Sequence, residues 1–160
     1  MLKTIITGLL AALLIVVMFF VYKKQRVQKS EFLVVNVLDK SMYDDCHIAD
    51  SIHVPFDEIE DFIEELPKDS KVVFYCSNYQ CTASGYAARK ARELGIKNSW
   101  AYEAGMAEWY QKGYPVVGPC TREYLKKSVQ MLENQHDDEN IELSTEELAQ
   151  KMQVKRSNES

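Results

Sequence analysis

The chain has 160 residues, of which 46% are hydrophobic and 27% charged, and a net charge of -5. That length fits one compact domain with extensions, and the acidic balance excludes nucleic-acid binding through phosphates. The four cysteines (Cys46, Cys76, Cys81 and Cys120) lack the repeated C-x2-C spacing of a structural zinc site, and only three histidines accompany them. No metal is expected, nor is a disulfide scaffold, because a chain of this size can bury a core without staples.

Residues 5–22 form an uncharged apolar run of about 27 Å as a helix, close to the ~30 Å hydrocarbon thickness of a bilayer. Lys3 precedes it, and Lys23, Lys24, Arg26 and Lys29 follow. The competing reading is a cleaved signal peptide, but the run exceeds a usual signal core and no A-x-A site follows. The expectation is therefore a single-pass membrane anchor, with a flank at 1–4 and a polar linker at 23–30. Positive charge is heavier after the span, which puts the following domain on the cytoplasmic side.

Phe32 to Val37 is apolar and β-branched, the pattern of a strand buried on both faces. Tyr43 to Ala49 reads as a polar connection and Ser51 to Pro55 as a short strand stopped by proline. Phe56, Ile59, Phe62, Ile63 and Leu66 have helical spacing, followed by a turn over Pro67 to Ser70. Val72 to Tyr75 is a second buried strand, ending at Cys76. After a few small and polar residues, Gly85 to Leu94 reads as a helix closed by Gly95. A further strand over Asn98–Tyr102, a short helix over Gly105–Gln111 and a closing segment at Pro115-Val116-Val117 complete an alternating pattern. Such alternation implies a parallel sheet covered on both faces. Beyond Gly118 the composition shifts. Thr121 to Gln135 has amphipathic spacing, residues 136–140 are an acidic break, and Ser144-Thr145-Glu146-Glu147 has capping-box spacing ahead of a last helix. The division is thus a domain at 31–119 and an acidic helical tail at 120–160.

Cys76 occupies the carboxyl end of a buried strand, in a loop that feeds a helix amino terminus. Ligands bind at that place in open α/β sheets. Backbone N–H groups and the helix dipole there favour an anion, which should push a thiol towards thiolate.

These segments together resemble the rhodanese-like domain family over roughly Phe32 to Pro119. Cys46-His47-Ile48-Ala49-Asp50-Ser51-Ile52-His53-Val54-Pro55 is similar to its G-H-I-P-G-A-x-x-x-P element. Cys76 to Cys81 has the length of its six-residue active loop, with Thr82 at the usual Ser/Thr position. Glu103-Ala104-Gly105-Met106-Ala107-Glu108-Trp109 and Gly113-Tyr114-Pro115-Val116 resemble its closing G-G-x-x-x-W-x-x-x-G-x-P-V pattern. The resemblance implies a three-layer α/β sandwich around a central parallel sheet, here preceded by one transmembrane helix and followed by a helical tail. It also implies sulfur transfer without metal or organic cofactor. Cys76 would take sulfane sulfur from a small donor or a protein persulfide and pass it to a thiol acceptor. The active loop would be Ser77, Asn78, Tyr79, Gln80, Cys81 and Thr82, its N–H groups cradling an anionic persulfide. Tyr79 and Gln80 would line its mouth.

The chain also departs from the family. Asn36, Leu38 and Met42 stand where Asp, Arg and Glu are common, and Cys46 stands where glycine is common. The loop holds no lysine or arginine, so thiosulfate is expected to be a poor donor, unless Arg89 or Arg92 reaches in. Cys81 either packs at the helix start or resolves the Cys76 persulfide as a second thiol; Cys46 and Cys120 read as structural or incidental. Two alternatives to sulfur transfer follow: a non-catalytic partner-binding module, and a thiol redox module using Cys76 and Cys81. Phosphatase chemistry is disfavoured, because the loop lacks an arginine for phosphoryl oxygens.

Overall fold

The computed structural model describes residues 32–127 and 141–157. In chain order its elements are β1 (Leu33–Asn36), α1 (Lys40–Asp45), β2 (His47–Ile48), β3 (Ile52–His53), α2 (Ile59–Glu65), β4 (Lys71–Tyr75), α3 (Ala83–Glu93), β5 (Asn98–Tyr102), α4 (Gly105–Gln111), β6 (Val116–Val117) and α5 (Thr145–Met152). Single 3-10 turns lie at Phe56–Glu58 and Glu123–Lys126. The expected membrane anchor at 5–22 lies outside the described residues. Among those described, no helix is long and apolar enough to cross a membrane.

β3, β1, β4 and β5 lie side by side in that order and all run parallel. β4 is central, and its side chains alternate between the faces as the pleat requires. Val72, Phe74 and Cys76 join one apolar cluster with Ile59 and Ile63 of α2 and Ala87, Ala88 and Ala91 of α3. Val73 and Tyr75 join the opposite cluster with Met106 and Trp109 of α4 and Leu148 and Ala149 of α5. The sheet is thus covered on both faces, as continuous apolar strands demand.

Two elements differ from the sequence expectation. The polar connection at 43–49 contains the end of α1 and the start of a small antiparallel ladder, in which β2 pairs with β6. α1 buries no residue, so it leaves no apolar periodicity to read; its only local signal is Asp39, whose carboxylate caps the Met42 N–H at 2.9 Å. The helix expected from Thr121 is a single 3-10 turn that ends at Lys127, in extended backbone. The rest of that expected helix, at 128–135, lies outside the described residues.

The tail beyond is part of the same core. The N–H of Ala101 in β5 donates to the Ile141 carbonyl, and the N–H of Leu143 returns to Ala101, both at 2.8 Å. This parallel bridge lies along the edge of β5. α5 begins with the expected capping box: Ser144 and Glu147 satisfy each other's backbone N–H groups. Leu143 and Leu148 are buried against Tyr102 and Trp109.

Cys46 and Cys120, read from the sequence as structural or incidental, form a disulfide with Cα atoms 4.6 Å apart. The β2–β6 ladder brings them together, since it pairs His47 with Val117. Asp45 secures the crossing: its carbonyl accepts from the Cys120 N–H at 2.8 Å and its carboxylate accepts from the Thr121 N–H at 3.1 Å. The ladder is too short to be foreseen, so nothing in the spacing of the two cysteines announces the bond.

Candidate active site

Cys76 follows directly on β4, and the loop to Thr82 leads into α3. Its base is fixed from below by α4. The N–H groups of Met106 and Ala107, in the first turn of α4, donate to the carbonyls of Cys76 and Ser77, each at 2.9 Å. That approach requires glycine at 105. Its φ is +65°, and a Cβ there would stand 2.7 Å from the Cys76 oxygen and 2.8 Å from the Asn78 nitrogen.

Asn78 folds the middle of the loop. It is buried, its Oδ1 accepts from the Gln80 N–H and its carbonyl from the Cys81 N–H, both at 3.0 Å. Tyr79 turns down instead of standing at the mouth: its hydroxyl donates to Glu108 Oε2 at 3.2 Å and its ring packs on the Trp109 face of the sheet. Gln80 is exposed. The other oxygen of Glu108 accepts from the Thr145 hydroxyl at 2.5 Å and from Lys112 Nζ at 2.9 Å. The Thr145 hydroxyl in turn meets the Tyr102 hydroxyl at 2.8 Å. Glu108 therefore joins the active loop to the tail helix. Burial works to raise its carboxyl, but the hydrogen bonds from Thr145 and Lys112 outweigh it and hold the group ionised below its ordinary range.

The two loop thiols have different surroundings. Cys76 has no exposed surface. Its Sγ donates to the Cys81 carbonyl at 3.2 Å, with the Asn78 carbonyl at 3.8 Å and the Ser84 hydroxyl at 3.5 Å. Burial first, then the neighbouring Cys81 sulfur, push its thiol well above the ordinary range, and the donors on Ser84 offset only part of that. Cys81 is partly exposed and receives what the loop has to give. The neighbouring Cys76 side chain first, then the nearby N–H groups of Ala83 and Ser77, outweigh its partial burial and draw its thiol down to about 6.

This corrects the expectation that the loop and helix amino terminus would make Cys76 the thiolate. Desolvation at a fully enclosed sulfur outweighs the dipoles and pushes the Cys76 thiol up. The hydroxyl that meets Cys76 also belongs to an unforeseen residue. Thr82 is exposed and makes no side-chain cap, whereas buried Ser84, two residues on, reaches the sulfur. Ser84 lies in the first turn of α3, so only the inward face of that helix identifies it. Neither arginine supplies a cation inside the loop: Arg92 donates to the Ser99 carbonyl at 3.1 Å, and Arg89 lies over Gly85 beside Glu103. Among the described residues, no group of His, Cys, Asp and Glu is arranged to hold a metal ion.

A central parallel sheet, with a cysteine-headed six-residue loop between its middle strand and a helix, is the architecture the motif order implied. The sequence model of the Rhodanese-like domain family matches residues 21–112. The chain belongs to that family. Among curated proteins it is similar to thiosulfate sulfurtransferase GlpE of Coxiella burnetii, 26% identical over 83 residues, which are 52% of this chain and 76% of that protein. Among solved structures it resembles the BH2092 protein of Bacillus halodurans, with a TM-score of 0.51 and 27% identity over 62% of this chain and 73% of that one. The Alr3790 protein of Anabaena sp. shares the fold, with a TM-score of 0.50 and 24% identity over 56% of this chain and 80% of that one.

Proposed function

We propose that the protein is a membrane-anchored sulfurtransferase that carries sulfane sulfur as a persulfide on Cys76 and passes it to a thiol acceptor. The observation that carries this reading is the position of Cys76, at the end of the central strand and at the head of a six-residue loop locked by Gly105, in a rhodanese-like chain. Ser84 and the Cys81 sulfur surround the place where a persulfide would form. A loop without lysine or arginine offers little to a dianion, so the favoured donor is a persulfide and not thiosulfate. No cofactor is needed, since sulfur moves by displacement between thiolates.

The anchor is the apolar run at 5–22. Two features bear on its orientation and oppose each other. The lysines and arginine after the run favour a cytoplasmic domain, whereas the Cys46–Cys120 disulfide favours an oxidising compartment. We favour the oxidising side, because the charge rule rests here on a difference of a few residues. Labelling of a cysteine introduced into the 23–30 linker with a membrane-impermeant maleimide, in intact cells, tests this.

Sulfur transfer is tested by intact-mass measurement of the full-length protein in detergent, after exposure to a persulfide donor and to thiosulfate. The expected result is a gain of one sulfur atom, kept in Cys81→Ser and lost in Cys76→Ser. A gain that survives in Cys76→Ser overturns the assignment of the carrier.

A further inference from the structure

Cys76 is enclosed, and its proton is directed at the Cys81 carbonyl. The loop has a second sulfur that is more exposed. Cys81 is partly exposed, and its backbone carbonyl accepts from the buried Cys76 Sγ at 3.2 Å. Elsewhere in the chain Cys46 and Cys120 are already joined, so disulfide chemistry belongs to the environment of this fold. The pair thus has the division of labour of a thiol–disulfide exchange centre: an accessible attacking thiolate with a buried thiol in contact behind it.

We propose that the loop has a second activity, thiol–disulfide exchange on exposed disulfides, in which Cys81 attacks and Cys76 resolves. The Cys81 thiolate attacks one sulfur of R–S–S–R′, forming a Cys81–S–S–R mixed disulfide and releasing R′S⁻. Cys76 gives up its proton to that leaving thiolate, and its sulfur attacks the Cys81 sulfur. The Cys81–S–R bond breaks, RS⁻ leaves and takes a proton from water, and a Cys76–Cys81 disulfide remains. The substrate gains two electrons and the loop loses two. A dithiol reductant returns the loop to its starting state by the same steps in reverse. This activity shares Cys76 with sulfur transfer but assigns the point of entry to Cys81.

The magnitude follows from ionisation. At pH 7 a thiol near 6 is mostly thiolate, while an ordinary thiol near 9 is about 1% thiolate, and burial holds Cys76 above that range. The lower basicity of the former gives back roughly twentyfold in nucleophilicity, so Cys81 retains an advantage of about fivefold, which the burial of Cys76 enlarges.

The probe is glutathione disulfide, added to the full-length reduced protein in detergent and followed by intact mass and peptide mapping. The wild type should form a Cys76–Cys81 disulfide without lasting adduct. Cys76→Ser, which keeps a hydroxyl donor towards Cys81, should accumulate glutathione on Cys81 at least ~5-fold faster than Cys81→Ser accumulates it on Cys76. Equal rates in the two variants, or a wild type that forms no Cys76–Cys81 disulfide, overturns the proposal. The wild-type measurement stands even if a variant fails to fold. Sulfur loading on Cys81→Ser is a separate readout, so either activity can fail while the other survives.

Discussion

Gly105 shows how a single residue outside the loop decides the loop's shape. Its positive φ and the missing Cβ allow the first turn of α4 to reach the carbonyls of Cys76 and Ser77. Gly105→Ala would place a methyl within 2.7 Å of backbone that cannot rotate away, in a conformation alanine resists. The expected loss is about 2–3 kcal/mol in urea unfolding, with slower reaction of both loop thiols even where the protein remains folded. Cys81 gives the second prediction at this scale. Its thiol is lowered to about 6, so it is protonated and unreactive below that pH and ionised above it. Alkylation of Cys81 by iodoacetamide should therefore rise through about pH 6 and level off by neutrality. A rise centred near the ordinary thiol range, above pH 8, would show that the loop donors do not act as described. The strand-end position of Cys76 is legible in the sequence, but the burial that pushes its thiol up is not. Strand-end position is written in local pattern, whereas the balance between desolvation and dipoles depends on how completely Cys81, Ser84 and Asn78 close over the sulfur.

At the scale of elements, the tail helix α5 is tied to the active loop rather than appended to the domain. Thr145 and Tyr79 share the Glu108 carboxylate, and Leu148 is fully buried beneath Tyr102 and Trp109. Leu148→Ala should cost about 2–4 kcal/mol through lost burial and the cavity left behind. Ser144→Ala should cost about 1 kcal/mol by removing the cap. Both are read from urea midpoints, and a Leu148→Ala protein of wild-type stability would show that α5 does not dock. The sheet strands and α2 to α5 were legible because each carries an apolar β-branched run, a period of 3.6, a cap or a closing glycine. α1 and the β2–β6 ladder were not, because a helix with no buried residue and a two-residue ladder leave no periodic trace. Docking of the tail could not be read either. Capping-box spacing announces that a helix starts at Ser144, but only the Ala101 bridge to Ile141 and Leu143 determines where it lies.

At the scale of the whole molecule, the Cys46–Cys120 bond closes a span of 74 residues that contains β2 to β6 and the active loop. In the chain-entropy account, a loop of that length removes about 4 kcal/mol of freedom from the unfolded state. The native crossing does not depend on the bond alone. Asp45 holds Cys120 and Thr121 through backbone and carboxylate, and Gly118 passes so close to the Asp45 carbonyl that no Cβ would fit. Reduction should therefore leave a folded protein with its crossing in place, while freeing the unfolded chain. The test uses the Cys76→Ser/Cys81→Ser double variant, so that one disulfide alone responds to the reductant. Its urea midpoint should fall by more than ~1 M when dithiothreitol is added, with little change in slope. An unchanged midpoint would mean that the cross-link contributes nothing to stability and that Asp45 suffices to hold the crossing. A fall of the predicted size would make the fold's stability depend on an oxidising environment, and would bear on orientation independently of the charges that flank residues 5–22.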